Sequence, residues 1–224
     1  EVLVKGRAYA GRGGRMRIIH LFADLCNLYG DYGNVCGLKR ALENKGQNVE
    51  IEYQSIDDEI DVSGADFVFI GSATERNQKV ALNYLQGYKD NIKTALDNGT
   101  VILATGNSFE MFGQSVTDCD GIKHEGLSFF PYETIEGKER IVTDSLCDTS
   151  LCGGDIIGFV NKASLTTGAT SPLFDVKQGS GNGKDDSKEG VHYGNFYGTH
   201  LIGPVLIRNP QLCEYFADIL IKKQ

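Results

Sequence analysis

A chain of 224 residues is long enough for one substantial core. Its 41% hydrophobic and 23% charged content is ordinary for a globular protein. No apolar run approaches the length of a membrane span, and a net charge of −8 speaks against nucleic acid as the main partner.

The opening segment Glu1–Arg15 carries Lys5, Arg7, Arg12 and Arg15 among glycines and lacks the apolar stretch of a secretory signal. It reads as a loose or expression-derived extension, residues 16–224 as a single domain, and the cytoplasm as the expected location. Six cysteines at irregular spacing, with no CxxC pair, read as reduced thiols. Cys147 and Cys152 have no His at ligand spacing, so neither a metal nor another cofactor is expected.

Arg17–Phe22 is a short β-rich run, followed by a loop from Ala23 to Tyr32. Gly33–Leu42 has helical periodicity and stops at Lys45-Gly46. Asn48–Gln54 alternates as a strand, and Asp66–Gly71 is the continuous apolar run of a buried parallel strand. Arg76 to Asn98 reads as one long helix, and Val101–Ala104 as the next buried strand. Strands alternating with helices predict an α/β fold with a largely parallel sheet covered on both faces. After Gly113 the pattern changes to short β-like pieces at Leu127–Tyr132, Arg140–Thr143 and Asp155–Asn161, which predict a β-rich C-terminal extension of that sheet. Gln178–Gly190 reads as a mobile, low-hydrophobicity loop, and Asn209-Pro210 opens a terminal helix reaching about Lys222.

Chemistry concentrates at Val101–Gly113, an apolar strand, a tight turn and the start of a helix. Such an elbow presents a nucleophile above a helix N-terminus that favours negative charge. Its apex here is Gly106, which has no side chain.

Two further blocks carry a family resemblance. Asn27-Leu28-Tyr29-Gly30-Asp31-Tyr32-Gly33-Asn34 is one. Glu189-Gly190-Val191-His192-Tyr193-Gly194-Asn195, leading through Gly198-Thr199 to Gly203-Pro204 and Arg208-Asn209-Pro210, is the other. With the elbow between them, the chain resembles the CobB/CobQ-like class I glutamine amidotransferases, in the stand-alone GatD form (the glutaminase subunit of lipid II isoglutaminyl synthase). The resemblance spans Met16 to Lys222 and implies a flavodoxin-like amidotransferase fold. The absence of an N-terminal nucleotide-using domain favours the stand-alone form over the cobyrinate-type amidases.

In that family an elbow Cys attacks the glutamine amide, a His takes the thiol proton, backbone N–H groups hold the oxyanion, and ammonia passes to a synthase. The resemblance places Gly106 at the nucleophile and Ile202 at the general base, so neither group is intact. Its oxyanion loop corresponds to Gly71–Gln78, of which Gly71, Arg76 and Gln78 keep the family character. A Glu-Asn-His-Gly-Gly-Arg-Thr segment corresponds to Val160–Thr166. It implies Arg140, Gly71, Asn107 and Glu110 as substrate-binding positions, Arg140 meeting the glutamine α-carboxylate as a bidentate donor. Read without the resemblance, Arg140 is an exposed residue beside Glu139 at a strand end.

Ser108 and His200 are the replacement candidates. On an extended strand His200 and Ile202 share a face, so His200 could approach the base position. The plainer reading makes Ser108 an early-helix polar residue and His200 a half-buried strand position. Three functions follow. One is a degenerate amidotransferase domain acting as partner of an ATP-dependent, Mur-ligase-like synthase. Another is an active amidotransferase supplying ammonia for lipid II D-glutamate or a corrinoid through other residues. The third is a module binding glutamine or a related small molecule in the old pocket.

Overall fold

The computed structural model describes residues 14–183 and 185–223. The first half contains β1 (Arg15–Leu21), α1 (Tyr32–Asn44), β2 (Asn48–Gln54), β3 (Phe67–Ile70), α2 (Glu75–Leu85), α3 (Lys89–Asp97) and β4 (Val101–Thr105). The second half adds β5 (Ser115–Thr117), β6 (Lys123–Glu125), β7 (Glu133–Asp148), β8 (Ile156–Thr167), β9 (Phe174–Gln178) and β10 (Lys188–Glu189). It closes with β11 (Val191–Tyr193), β12 (Phe196–Thr199), α4 (Val205–Arg208) and α5 (Pro210–Lys222). The expected extension Glu1–Arg15 lies outside the described residues except for Gly14 and Arg15, and Arg15 opens β1 one residue ahead of Met16.

One sheet has the order β11-β12-β4-β3-β1-β2, parallel throughout except for the β11–β12 pair. Its centre is β3 beside β4, whose residues are buried on both faces, which is why their sequences run apolar without alternation. The α1 and α5 helices cover one face, packing Val35, Leu38 and Phe216 against Phe67 and Leu103. The α2 and α3 helices cover the other, with Ala81, Leu82 and Ile92 against Val68 and Ile70. Among the described residues no helix is long and apolar enough to cross a membrane.

Several local expectations are corrected. The single helix expected over Arg76–Asn98 is two, α2 and α3, joined by a 3-10 turn at Gln86–Tyr88. Gly87 lies in that turn, where its low helix propensity favours leaving the α-helix. Capping fixes where α2 begins: Thr74 Oγ1 accepts from Asn77 N at 3.1 Å, and Glu75 complements the helix dipole. Leu127–Tyr132 is a loop of bends. Arg140–Thr143 and Asp155–Asn161 are not separate short strands. They belong to the long pair β7 and β8, which with β5, β6, β9 and β10 forms a second sheet instead of extending the first. The middle of β7 is exposed and carries an irregularity between Glu136 and Ile141, so the alternation that marks a strand is erased there.

Candidate functional site: a cleft at the carboxyl ends of β3 and β4

Open α/β sheets bind ligands beyond the carboxyl ends of their strands. Here β3 runs into Gly71-Ser72-Ala73-Thr74 and β4 into Gly106-Asn107, and a cleft of about 230 Å³ opens beside them. Its walls include Ser72, Asn107, Glu110 and Ile202 from the first sheet's side, and Glu136, Arg140, Asn161, Lys162 and Ser164 from the second.

Gly106 has φ +64 and opens a 3-10 helix over Gly106–Phe112, where the start of a helix was expected. That helix stops at Gly113, whose absent Cβ would lie 2.4 Å from the Tyr132 carbonyl. A Cβ placed on Gly106 would meet Ser72 Cβ at 2.3 Å, Ser72 Cα at 3.0 Å and Ile202 Cγ2 at 3.3 Å. Gly106 and Ile202 are thus neighbours across the cleft floor. The volume a side chain at Gly106 would need is filled by Ser72.

Ser72 is held firmly. Its N–H donates to Asp31 Oδ2 at 2.7 Å, its hydroxyl donates to the same oxygen, and Leu28 O lies 3.3 Å from Oγ. Burial pushes the Asp31 carboxyl up to about 6, against the hydrogen bonds from Ser72 that favour the charged form. Gly71 is required by close approach, since a Cβ there would lie 2.3 Å from Cys26 O and 2.7 Å from Asp31 Cβ. Cys26 itself is buried, and desolvation pushes its thiol up to about 12, which removes it as a thiolate nucleophile near neutral pH.

The other implied positions have definite partners. Asn107 Oδ1 accepts from Ala73 N at 3.0 Å, tying the two loops together. Gln78 Nε2 donates to Asn107 O at 2.5 Å and to Glu110 Oε2 at 2.7 Å, and Ser164 Oγ donates to Glu110 Oε1. Asn107, Glu110 and Arg140 line the cleft, whereas Gly71 sits behind Ser72 and does not. Arg140 lies in the interior of β7, at its irregular stretch, and not at a strand end. Its guanidinium pairs with Glu75, and its Nη1 donates to Asn161 Oδ1 at 3.0 Å. Asn161 Nδ2 donates to Tyr29 OH at 2.9 Å, so Tyr29, Asn161, Arg140 and Glu75 form a polar rim between the sheets.

Ser108 and His200 are not brought together as a pair. The Ser108 hydroxyl donates to Gly71 O, and neither residue lines the cleft. The shared strand face expected for His200 and Ile202 does not exist, because β12 ends at Thr199. His200 N donates to Glu189 Oε1 at 2.6 Å and Leu201 N to Thr199 Oγ1 at 3.0 Å, which bends the chain. The His200 ring is fully enclosed, edge-on to Phe109 at 4.6 Å between centroids. Its Nε2 lies 3.5 Å from Glu110 and its Nδ1 3.5 Å from Glu189, beyond good hydrogen-bond length.

Ser72, Asp31 and Lys162 were not singled out from the sequence, although Asp31 stands in the opening motif and Ser72 directly follows the strand-ending Gly71. Lys162 Nζ donates to Gly181 O at 2.6 Å and Asn182 O at 2.9 Å. Burial lowers the Lys162 ammonium to about 8, against Glu189, Glu110 and Asp186, which favour its charge. These bonds, with Asn182 bonded through its side chain to both N and O of Gly190, pin the segment expected to be a mobile loop. Glu136 of the cleft wall is paired with the half-buried Lys79.

Comparison with known proteins shows the family. A family profile for the CobB/CobQ-like glutamine amidotransferase domain matches residues 17–210. The chain is 30% identical over 213 residues to the "Lipid II isoglutaminyl synthase (glutamine-hydrolyzing) subunit GatD" of Streptococcus pneumoniae (strain ATCC BAA-255 / R6), covering 94% of this chain and 82% of that one. It is also 30% identical over 203 residues to the subunit of the same name from Staphylococcus aureus (strain N315), covering 91% and 83%. Among solved structures, PurLQS from Thermotoga maritima superposes with a TM-score of 0.60 at 11% identity, over 93% of this chain and 98% of that chain. A structure described as glutamine amidotransferase gives a TM-score of 0.60 at 14% identity, over 90% and 98%. Both superpositions speak to the fold alone.

Proposed function

The chain belongs to the CobB/CobQ-like glutamine amidotransferase domain family, and from that premise we propose that it is a member without glutaminase activity. We further propose that it serves as a subunit of an ATP-dependent, Mur-ligase-like amidating synthase. In this reading Gly106 stands where the family nucleophile stands, and Ile202 where its general base stands.

One observation carries the first proposal. The site a nucleophilic side chain at Gly106 would occupy is filled by Ser72 Cβ, 2.3 Å from the Cβ position, and the group on its other side is the alkyl side chain of Ile202. A thiol absent by substitution alone would leave a hole, whereas here the neighbouring loop occupies the space. An alkyl side chain can neither accept nor return a proton, so an imidazole's part in the reaction has no provider at this position. The Arg140 guanidinium, proposed as the glutamine α-carboxylate contact, is engaged by Glu75, so a ligand carboxylate must compete with an internal one.

The second proposal draws on the two relatives, each of which is named as a subunit of a synthase. If the chain no longer hydrolyses glutamine, association is the property of such a subunit that survives. Two measurements test the pair of proposals. Ammonia release from glutamine by the purified chain is expected to match the Ile202→Ala variant and the buffer blank, and turnover above both overturns the first. A tagged chain from its native host is expected to bring down a stoichiometric ATP-dependent ligase, and repeated recovery alone at low salt overturns the second.

A further reading, glutamine or a related small-molecule binding without turnover, is favoured by the cleft of about 230 Å³ with its polar rim. Calorimetric titration with glutamine separates it from pure association. Heat that saturates, and is lost in Arg140→Ala, would favour it.

A further inference from the structure

The side chain that closes the space over Gly106 is itself a hydroxyl, and it rests on a buried carboxylate. We propose that Ser72 is a reactive nucleophile of this cleft, with Asp31 as its proton acceptor, and that it takes acyl groups from small carboxylic esters. The inference goes beyond the loss of glutaminase activity and does not depend on it.

The geometry supplies the parts. Ser72 lines the cleft, and its Cβ lies 2.3 Å from the position of a Gly106 Cβ, so its side chain comes from the end of β3 to the region a side chain on the β4 elbow would reach. Asp31 is fully buried behind Ser72 and does not line the cleft. Its Oδ2 receives both the Ser72 hydroxyl and the Ser72 N–H, which fixes the carboxylate to one serine and leaves no rotational search for the proton transfer. Buried as it is, this carboxyl is raised to about 6 and is therefore a stronger base than an exposed aspartate while still ionised at neutral pH.

The chemistry follows from where the base sits. Ser72 Oγ attacks the ester carbonyl carbon and its proton passes to Asp31 Oδ2. The Oγ–C bond forms, the bond from the acyl carbon to the leaving oxygen breaks, and the departing alkoxide takes a proton from water. A second water, giving one proton to the hydroxide left by the first, attacks the acyl-serine, the acid leaves, and Asp31 returns its proton to Ser72. Because Asp31 lies behind Ser72, it cannot reach a leaving group in the cleft. An alcohol departs with a proton from solvent, whereas an amine must be protonated before its bond to carbon breaks. Esters are therefore the class this pair serves, and primary amides are not.

Two probes on the intact chain test the proposal. A fluorophosphonate, which loses fluoride to an activated serine, is expected to add once per folded chain, with the adduct mapped by peptide mass spectrometry to Ser72. The adduct should be absent in urea. Labelling should be lost in Ser72→Ala and slowed at least tenfold in Asp31→Asn, and p-nitrophenyl acetate should give a burst of p-nitrophenol of one equivalent that is lost in the same variants. Adduct formation only at another hydroxyl, no adduct on the folded chain, or an Asp31→Asn rate equal to the parent's would overturn it. Should both variants fail to fold, the mapped position on the unaltered chain still decides.

Discussion

Replacing Gly106 by Cys tests the account of the cleft floor most sharply, because its effect is set by one contact. The new Cβ would lie 2.3 Å from Ser72 Cβ, while ordinary contact begins at about 3.4 Å, so something must yield by roughly 1 Å. Overpacking of this kind costs about 1–3 kcal/mol. The backbone at φ +64 adds about 1 kcal/mol for any residue with a Cβ. The variant should thus lose about 2–4 kcal/mol, or roughly 4–16 °C in Tm for a chain of this size. The two contributions separate in a double-mutant cycle with Ser72→Gly. Removing Ser72 relieves the clash but not the backbone strain, so Gly106→Cys should cost about 1–3 kcal/mol less in the Ser72→Gly background. Urea unfolding of the four proteins measures this. Ammonia release should stay at the blank in all four, and should first rise when Ile202→His is added. Equal cost of Gly106→Cys in both backgrounds would refute the claim that Ser72 fills the space, and with it the main support for lost glutaminase activity.

Other outcomes follow from the same contacts. His20, buried against Phe69 and Tyr53, is lowered to about 4 by desolvation. The unfolded chain therefore binds its proton between about pH 6.5 and 4 while the folded chain does not. That contribution, about 3 kcal/mol, is present above pH 6.5 and lost as pH falls through the window. Asp31 acts in the opposite sense, since its raised pKa makes the folded state the better proton binder between about pH 4 and 6. The difference between the parent and His20→Phe in pH-dependent urea unfolding isolates the histidine, and a constant difference from pH 7 to 4 would contradict it. Lys162→Met should cost about 1–3 kcal/mol by removing two charge-assisted hydrogen bonds, which leaves Asn182 O with Thr166 N and Gly181 O with a long contact to Ser180 Oγ. It should also bring limited proteolysis to the segment between Gln178 and Gly190, and unchanged protection there would count against the pinning role of Lys162. Arg140→Gln breaks a half-exposed pair with Glu75 and an exposed hydrogen bond to Asn161, and should change stability by less than about 1 kcal/mol, read from the urea midpoint.

The sequence by itself determined the layered half of this protein. Phe67–Ile70 and Val101–Thr105 are continuous apolar runs because both faces of a central parallel strand are covered, and composition alone reveals that state. The terminal helix was equally plain from Asn209-Pro210 and its apolar stripe, and it runs Pro210–Lys222. The β7–β8 pair was legible only in fragments, because an exposed strand interrupted by a bulge has no alternating pattern to read.

At the cleft the division is sharper. The sequence showed that Gly106 has no side chain and, through family resemblance, that Ile202 is the residue to watch opposite it. Tertiary structure alone decided what became of the space between them. Ser72 comes from another strand, Asp31 from the loop before α1, and the bend at His200 from a hydrogen bond to Glu189. No local pattern encodes these contacts, since they join segments whose separation along the chain has no fixed relation to their distance in space. Which atom fills a given volume is settled by close packing, a property of the assembled core and not of any stretch of sequence.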